Sequence, residues 1–74
     1  MISVRLRRAG FGTVHDAYIP AGLIDSSDRL LYPFGAVRGP VVARCGATLR
    51  GQLIVESPAV ETDCRHCRAI KARP

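Results

Sequence analysis

Ile2, Val4 and Leu6 alternate with Ser3, Arg5 and Arg7. A period of two predicts a strand with one apolar and one basic face. Ala9-Gly10 and Gly12 allow a turn, and Thr13–Ile19 reads as a second strand ended by Pro20. Its alternation sets His15 and Ala17 on one face and Val14, Asp16 and Tyr18 on the other. Residues 20–40 carry Pro20, Gly22, Asp25-Ser26-Ser27-Asp28, Pro33, Gly35, Gly39 and Pro40, the marks of a long loop. Leu30-Leu31-Tyr32 is the one candidate for a brief strand inside it. Val41–Arg44 reads as a strand running into Cys45-Gly46, and Leu53–Glu56 as its antiparallel return. Ser57-Pro58 breaks that strand. Thr62 or Asp63 then offers the N-cap of a helix over 63–72. The pattern predicts a single α+β domain, two antiparallel β-hairpins and a short C-terminal helix.

With 74 residues and only four aromatics, none of them Trp, such a core is small. A core of this size supplies about 3–5 kcal/mol. The cysteines therefore matter. Cys64-Arg65-His66-Cys67 places two thiols two residues apart, a spacing that grips one metal ion from a single turn. Cys45 adds a third thiol. Gly46 behind it suits a tight knuckle whose backbone N–H groups turn toward sulfur. His15 is the preferred fourth ligand, with His66, Asp16 and Asp63 as weaker alternatives. Thiolate and imidazole ligands in this number suit one structural Zn2+. Three cysteines leave one over in any disulfide scheme, and a thioredoxin-like redox pair needs a βαβ context that is missing.

Val14-His15, Arg44-Cys45-Gly46 and Thr62-Asp63-Cys64-Arg65-His66-Cys67 together resemble a group of small zinc-finger proteins of actinobacteria and their phages. The resemblance spans about half the chain through short motifs. It implies zinc held by His15, Cys45, Cys64 and Cys67 in a zinc-ribbon or treble-clef-like fold. It implies little about function. The 20–40 loop and the strong positive charge depart from the simplest form of the pattern.

The formal charge is +5, and ten of the eleven basic residues are Arg. A GC-rich genome accounts for that bias as readily as a functional need for Arg does. Three thiolates and one Zn2+ would bring the domain to about +4. Arg65, Arg68 and Lys71 recur every three residues along the predicted helix, with Arg73 close by, and Arg5, Arg7 and Arg8 cluster on strand one. If the two groups share a side, they form a phosphate-binding surface. The expected partner is nucleic acid, DNA or RNA, or a protein of a transcription complex. The alternative is a protein-interaction module or small accessory regulator docking through Leu23, Ile24, Leu30, Leu31, Tyr32 and Phe34. Against that reading, a loop that simply caps the small core is the expected role of Leu30 and Leu31.

Enzyme chemistry finds little support. A zinc deaminase needs His-x-Glu and Pro-Cys-x-x-Cys, whereas His15 is followed by Asp16-Ala17 and Cys64 by no preceding proline. No nucleophile triad or phosphate-cradling glycine motif is present. No segment is long and apolar enough to span a membrane, so a reducing cytoplasmic location is expected, where cysteines serve metals. Oligomeric state stays open, with strand one a candidate exposed edge.

Overall fold

The computed structural model describes residues 1–71; the expectations for residue 72 and Arg73 lie outside them. Ile2–Arg8 forms β1 and Val14–Ile19 forms β2. They pair antiparallel from Ile2 opposite Ile19 to Arg7 opposite Val14. Ala36–Arg38 is β3, Val41–Val42 is β4, Thr48–Leu49 is β5 and Gln52–Glu56 is β6. Arg65–Lys71 forms the helix α1. The fold is α+β, with hairpins β1–β2 and β4–β5 and a short C-terminal helix.

The main sheet has the order β2-β1-β6-β3, and β4–β5 forms a separate two-stranded ribbon. Here the pairing differs from expectation. Val41–Val42 pairs with Thr48–Leu49, not with Leu53–Glu56. The β6 strand instead inserts between β1 and β3. Alternating Leu53 and Val55 put their side chains in the core, and that face is completed by joining the larger sheet. Strand one is consequently internal along most of its length, not an exposed edge.

Two further corrections concern the loop. Its last part is the strand β3, whose Ala36 also bridges back to Asp25. Leu30-Leu31-Tyr32 forms a turn, not a strand. Leu30 is 96% and Leu31 70% exposed, so neither caps the core.

One face of the sheet carries Leu6, Ala17, Ile19, Val37, Leu53 and Val55. These cluster with Val41, Ala43 and Leu49 of the ribbon and with Cys64 and Cys67. Gly39 belongs to this close packing: a Cβ there would strike the carbonyl oxygen of Leu49. The opposite face is polar, with Arg5 between Asp16 and Glu56 in one cross-strand row. Asp16 and Thr62 are nevertheless buried on it. The segment after β6 brings Thr62 against Asp16 and Pro58 against Arg5. It then docks on the outer edge of β2, where the Asp63 and Cys64 amides both donate to the Val14 carbonyl.

The helix starts two residues later than expected. The Thr62 hydroxyl donates to Asp16 Oδ1 at 2.9 Å instead of capping the helix. Cys64 occupies the cap position, its carbonyl accepting from the Arg68 amide.

Candidate metal centre

Three separate elements carry the ligand atoms. His15 lies on β2, one residue after Val14, whose carbonyl holds the Cys64 arm. Cys45 sits in the knuckle between β4 and β5. That knuckle is closed by the Ala43 amide on the Ala47 carbonyl and the Gly46 amide on the Ala43 carbonyl. Gly46 has φ of +90°, a region that side-chain-bearing residues rarely adopt, so the glycine makes the tight reversal possible. Cys64 and Cys67 come from the cap and first turn of α1. The knuckle is attached to β2 by the Arg44 amide on the Asp16 carbonyl, 2.8 Å, and by the Ala17–Ala43 bridge.

The His15, Cys45, Cys64 and Cys67 ligand atoms all lie within 4.8 Å of one another. Cys64 Sγ is 3.7 Å from Cys45 Sγ. His15 Nδ1 is 3.8 Å from Cys45 Sγ and 3.9 Å from Cys67 Sγ. A tetrahedral ion with metal–sulfur bonds of about 2.3 Å sets its sulfurs about 3.8 Å apart. The spacing is thus that of ligands around one ion and far beyond a disulfide bond. The four residues can hold a metal ion. The ring nitrogen turned to the sulfurs is Nδ1.

The weaker alternatives stand apart. His66 and Asp63 are exposed. Asp16 is buried on the opposite face of β2, its Oδ1 taken by Thr62 and lying 3.9 Å from Arg5 Nε.

The electrostatics suit a cation. Burial pushes the Cys67 thiol up to about 11, because a lone thiolate there would be poorly solvated. The Cys67 backbone amide, donating to Cys64, holds the Cys64 thiol below its ordinary value. Burial, with Arg8 adding its charge, lowers the His15 pKa, which favours the neutral imidazole a metal requires.

Asp16 escaped the sequence reading as a structural residue. Its carbonyl accepts from Arg44 and from Cys67 Sγ, and its side chain holds Thr62. It therefore touches both cysteine arms. The available signal was a carboxylate beside a ligand histidine in an otherwise apolar strand.

The basic residues divide differently from expectation. Arg5 donates to Thr62 Oγ1 and to the Pro58 carbonyl. Arg7 pairs with Glu56 at 2.8 Å and donates to the Phe11 carbonyl. These two are engaged internally and do not form a free basic face. Arg8 lies over the Phe11 ring, 4.3 Å from its centroid. Arg65 and Arg68 are exposed. Lys71 ends the helix with only its backbone described, and Arg73 lies outside the described residues. Arg44, exposed and next to Cys45, was missed; its position repeats the adjacency of Cys64-Arg65 and Cys67-Arg68.

No family model, curated protein or solved structure matches this chain.

Proposed function

We infer that this chain is a non-enzymatic module stapled by one structural Zn2+, and that it contacts nucleic-acid phosphates through arginines around the metal. Three thiolates and an imidazole are a donor set typical of zinc, and four protein ligands leave no position for a catalytic water. The carrying observation is the rim of the site. Arg44, Arg65 and Arg68 each adjoin a ligand cysteine and are exposed, and Arg8 lies close enough to act on His15. Convergence of the ligands therefore gathers arginines that are far apart in sequence. Such a cluster suits backbone phosphates more than base edges. The resemblance to small actinobacterial and phage zinc-finger proteins agrees with the staple.

Fluorescence anisotropy of labelled DNA and RNA against salt tests this reading. The triple reversal Arg44→Glu, Arg65→Glu, Arg68→Glu is expected to keep its metal. It should flatten the slope of log affinity against log salt by about 2.7 on duplex DNA if all three touch phosphates. An unchanged affinity and slope would overturn the phosphate reading and leave the staple standing.

A second reading, protein docking, is favoured by the turn at 28–34. Asp28 Oδ1 accepts from the Leu31 amide and its carbonyl from the Tyr32 amide. The turn so held presents Leu30 and Leu31 to solvent. Capture of a partner that survives nuclease and high salt, and is lost in Leu30→Ser/Leu31→Ser, is the expected result. Capture indifferent to that change would dismiss it.

A further inference from the structure

Beside β1 lies a slot that neither the metal centre nor the arginine rim uses. The β1–β6 ladder runs only from Arg8 opposite Leu53 to Arg5 opposite Glu56. There β6 ends, and Ser57 turns the chain away, its carbonyl accepting from Val60 and its hydroxyl from Ala59. The β2 strand, by contrast, accompanies β1 as far as Ile2. Among the described residues, 2–4 are therefore paired on one side only.

The direction of their backbone groups follows from the ladder. The Ala9 amide donates to the Gln52 carbonyl, on the β6 side. In an antiparallel ladder alternate residues direct both groups to the same neighbour. Arg7, Arg5 and Ser3 thus face the β6 side. The residue that would meet Ser3 if β6 continued is Pro58, which has no N–H to give. Ser3 consequently offers an N–H and a carbonyl to the space beyond β6.

That space is a cavity of about 390 Å³, within the roughly 300–1,000 Å³ usual for ligand pockets. Val4, Val55 and the half-exposed Phe34 supply apolar wall. Ser3, Asp16 and Glu56 supply polar wall. Asp16 is 2% exposed, and among the described residues its Oδ2 has no hydrogen-bond partner. Glu56 commits Oε1 to Arg7. Arg5 also borders the cavity, but its Nε and Nη1 are directed to Thr62 and Pro58. The unmet carboxylate oxygens call for a donor-rich, positively charged group.

We propose that this slot binds an extended peptide segment of a partner, with a Lys or Arg residue opposite Ser3 and an apolar residue next to it opposite Ile2. The segment adds as a strand where β6 stops, exchanging backbone hydrogen bonds with Ser3. A residue opposite Ser3 shares the sheet face of Arg5, Asp16 and Glu56, so its cationic end meets the free carboxylate oxygens. The neighbour opposite Ile2 falls on the other face, that of Val4 and Val55.

The test is amide NMR titration of the metal-loaded full chain with a short, end-blocked peptide of Val-Lys-Val core. Saturable shifts are expected at Ser3, Phe34, Val55 and Glu56. A Val-Glu-Val peptide should bind at least about tenfold more weakly, the size expected for losing a charged hydrogen bond. N-methylation of the lysine amide should abolish binding, a change that leaves the protein untouched. Ser3→Pro should do the same while preserving metal content, because that amide faces away from β2. Shifts that gather at Leu30 and Leu31, equal affinity for the Lys and Glu peptides, or no shifts at the slot at millimolar peptide would each overturn the proposal.

Discussion

Stripping the metal with a strong chelator should unfold the chain, and restoring Zn2+ should refold it. The parts nearest the site have little stability of their own. Each strand of the ribbon has two residues, and an isolated two-stranded hairpin is marginal in water. The helix has seven residues, well short of the length at which a lone helix persists. A structural zinc adds on the order of 10 kcal/mol of apparent binding free energy, against about 3–5 from a core of this size. Circular dichroism and amide dispersion, read with elemental analysis, check this. A folded, metal-free chain with native amide dispersion would refute the staple. Cys67→Ala should mimic the chelator, since Cys67 is fully buried. His15→Ala should weaken the metal while leaving three thiol ligands.

The pH dependence has a definite sign. Within the fold the Cys67 thiol holds its proton to about 11, and an unfolded thiol, ordinarily at about 8.5, holds it too at neutral pH, so the ion must expel it from either state. The lowered Cys64 thiol has less proton to give. Calorimetry in buffers of different ionisation enthalpy should show roughly two to three protons released per ion. Affinity then falls as pH falls. The lowered His15 pKa means the imidazole stays neutral and able to ligate somewhat below its ordinary 6.5, so it protonates late in acid release. Binding without proton release would argue against thiolate ligation.

Asp16→Ala should weaken metal affinity by about 10–100-fold although Asp16 is not a ligand, the range seen when a supporting partner of a metal site is removed. The lost carboxylate frees Thr62 and leaves Arg5 without its buried partner. The segment leading to Cys64 then loses its Thr62–Asp16 bond and is held by the Arg5 bonds to Thr62 and Pro58 and by its two amide bonds to Val14. Thr62→Val removes the hydroxyl alone and should produce a smaller loss in the same direction. Competition with a chromophoric chelator measures both. An Asp16→Ala protein with unaltered affinity would show that the Arg5 and Val14 bonds suffice to place the cysteines.

The residues of the metal group were legible because ligand chemistry is local. A Cys-x-x-Cys pair, a Cys-Gly knuckle and a histidine on a strand each announce themselves within a few positions, and all four converge. The strands β1 and β2 were equally legible from alternation. The surroundings of the basic residues were not. Periodicity set Arg5 and Arg7 on one face but said nothing of Asp16, Thr62, Pro58 and Glu56, which engage them. Those partners come from β2, β6 and the segment beyond β6.

By itself the sequence determined which residues have the chemistry to hold a metal, where the first two strands run, and that a short helix begins at the Cys64–Cys67 pair. Tertiary structure alone decided that β6 joins β1, that β4 turns back onto β5, that Asp16 is buried, and that Leu30 and Leu31 are not. The reason is physical. Alternation specifies which side of a strand is apolar, whereas the choice of neighbour depends on which distant strand completes the buried face. Once β6 had taken the place beside β1 and stopped at Glu56, the same pairing left Ser3 facing an open slot.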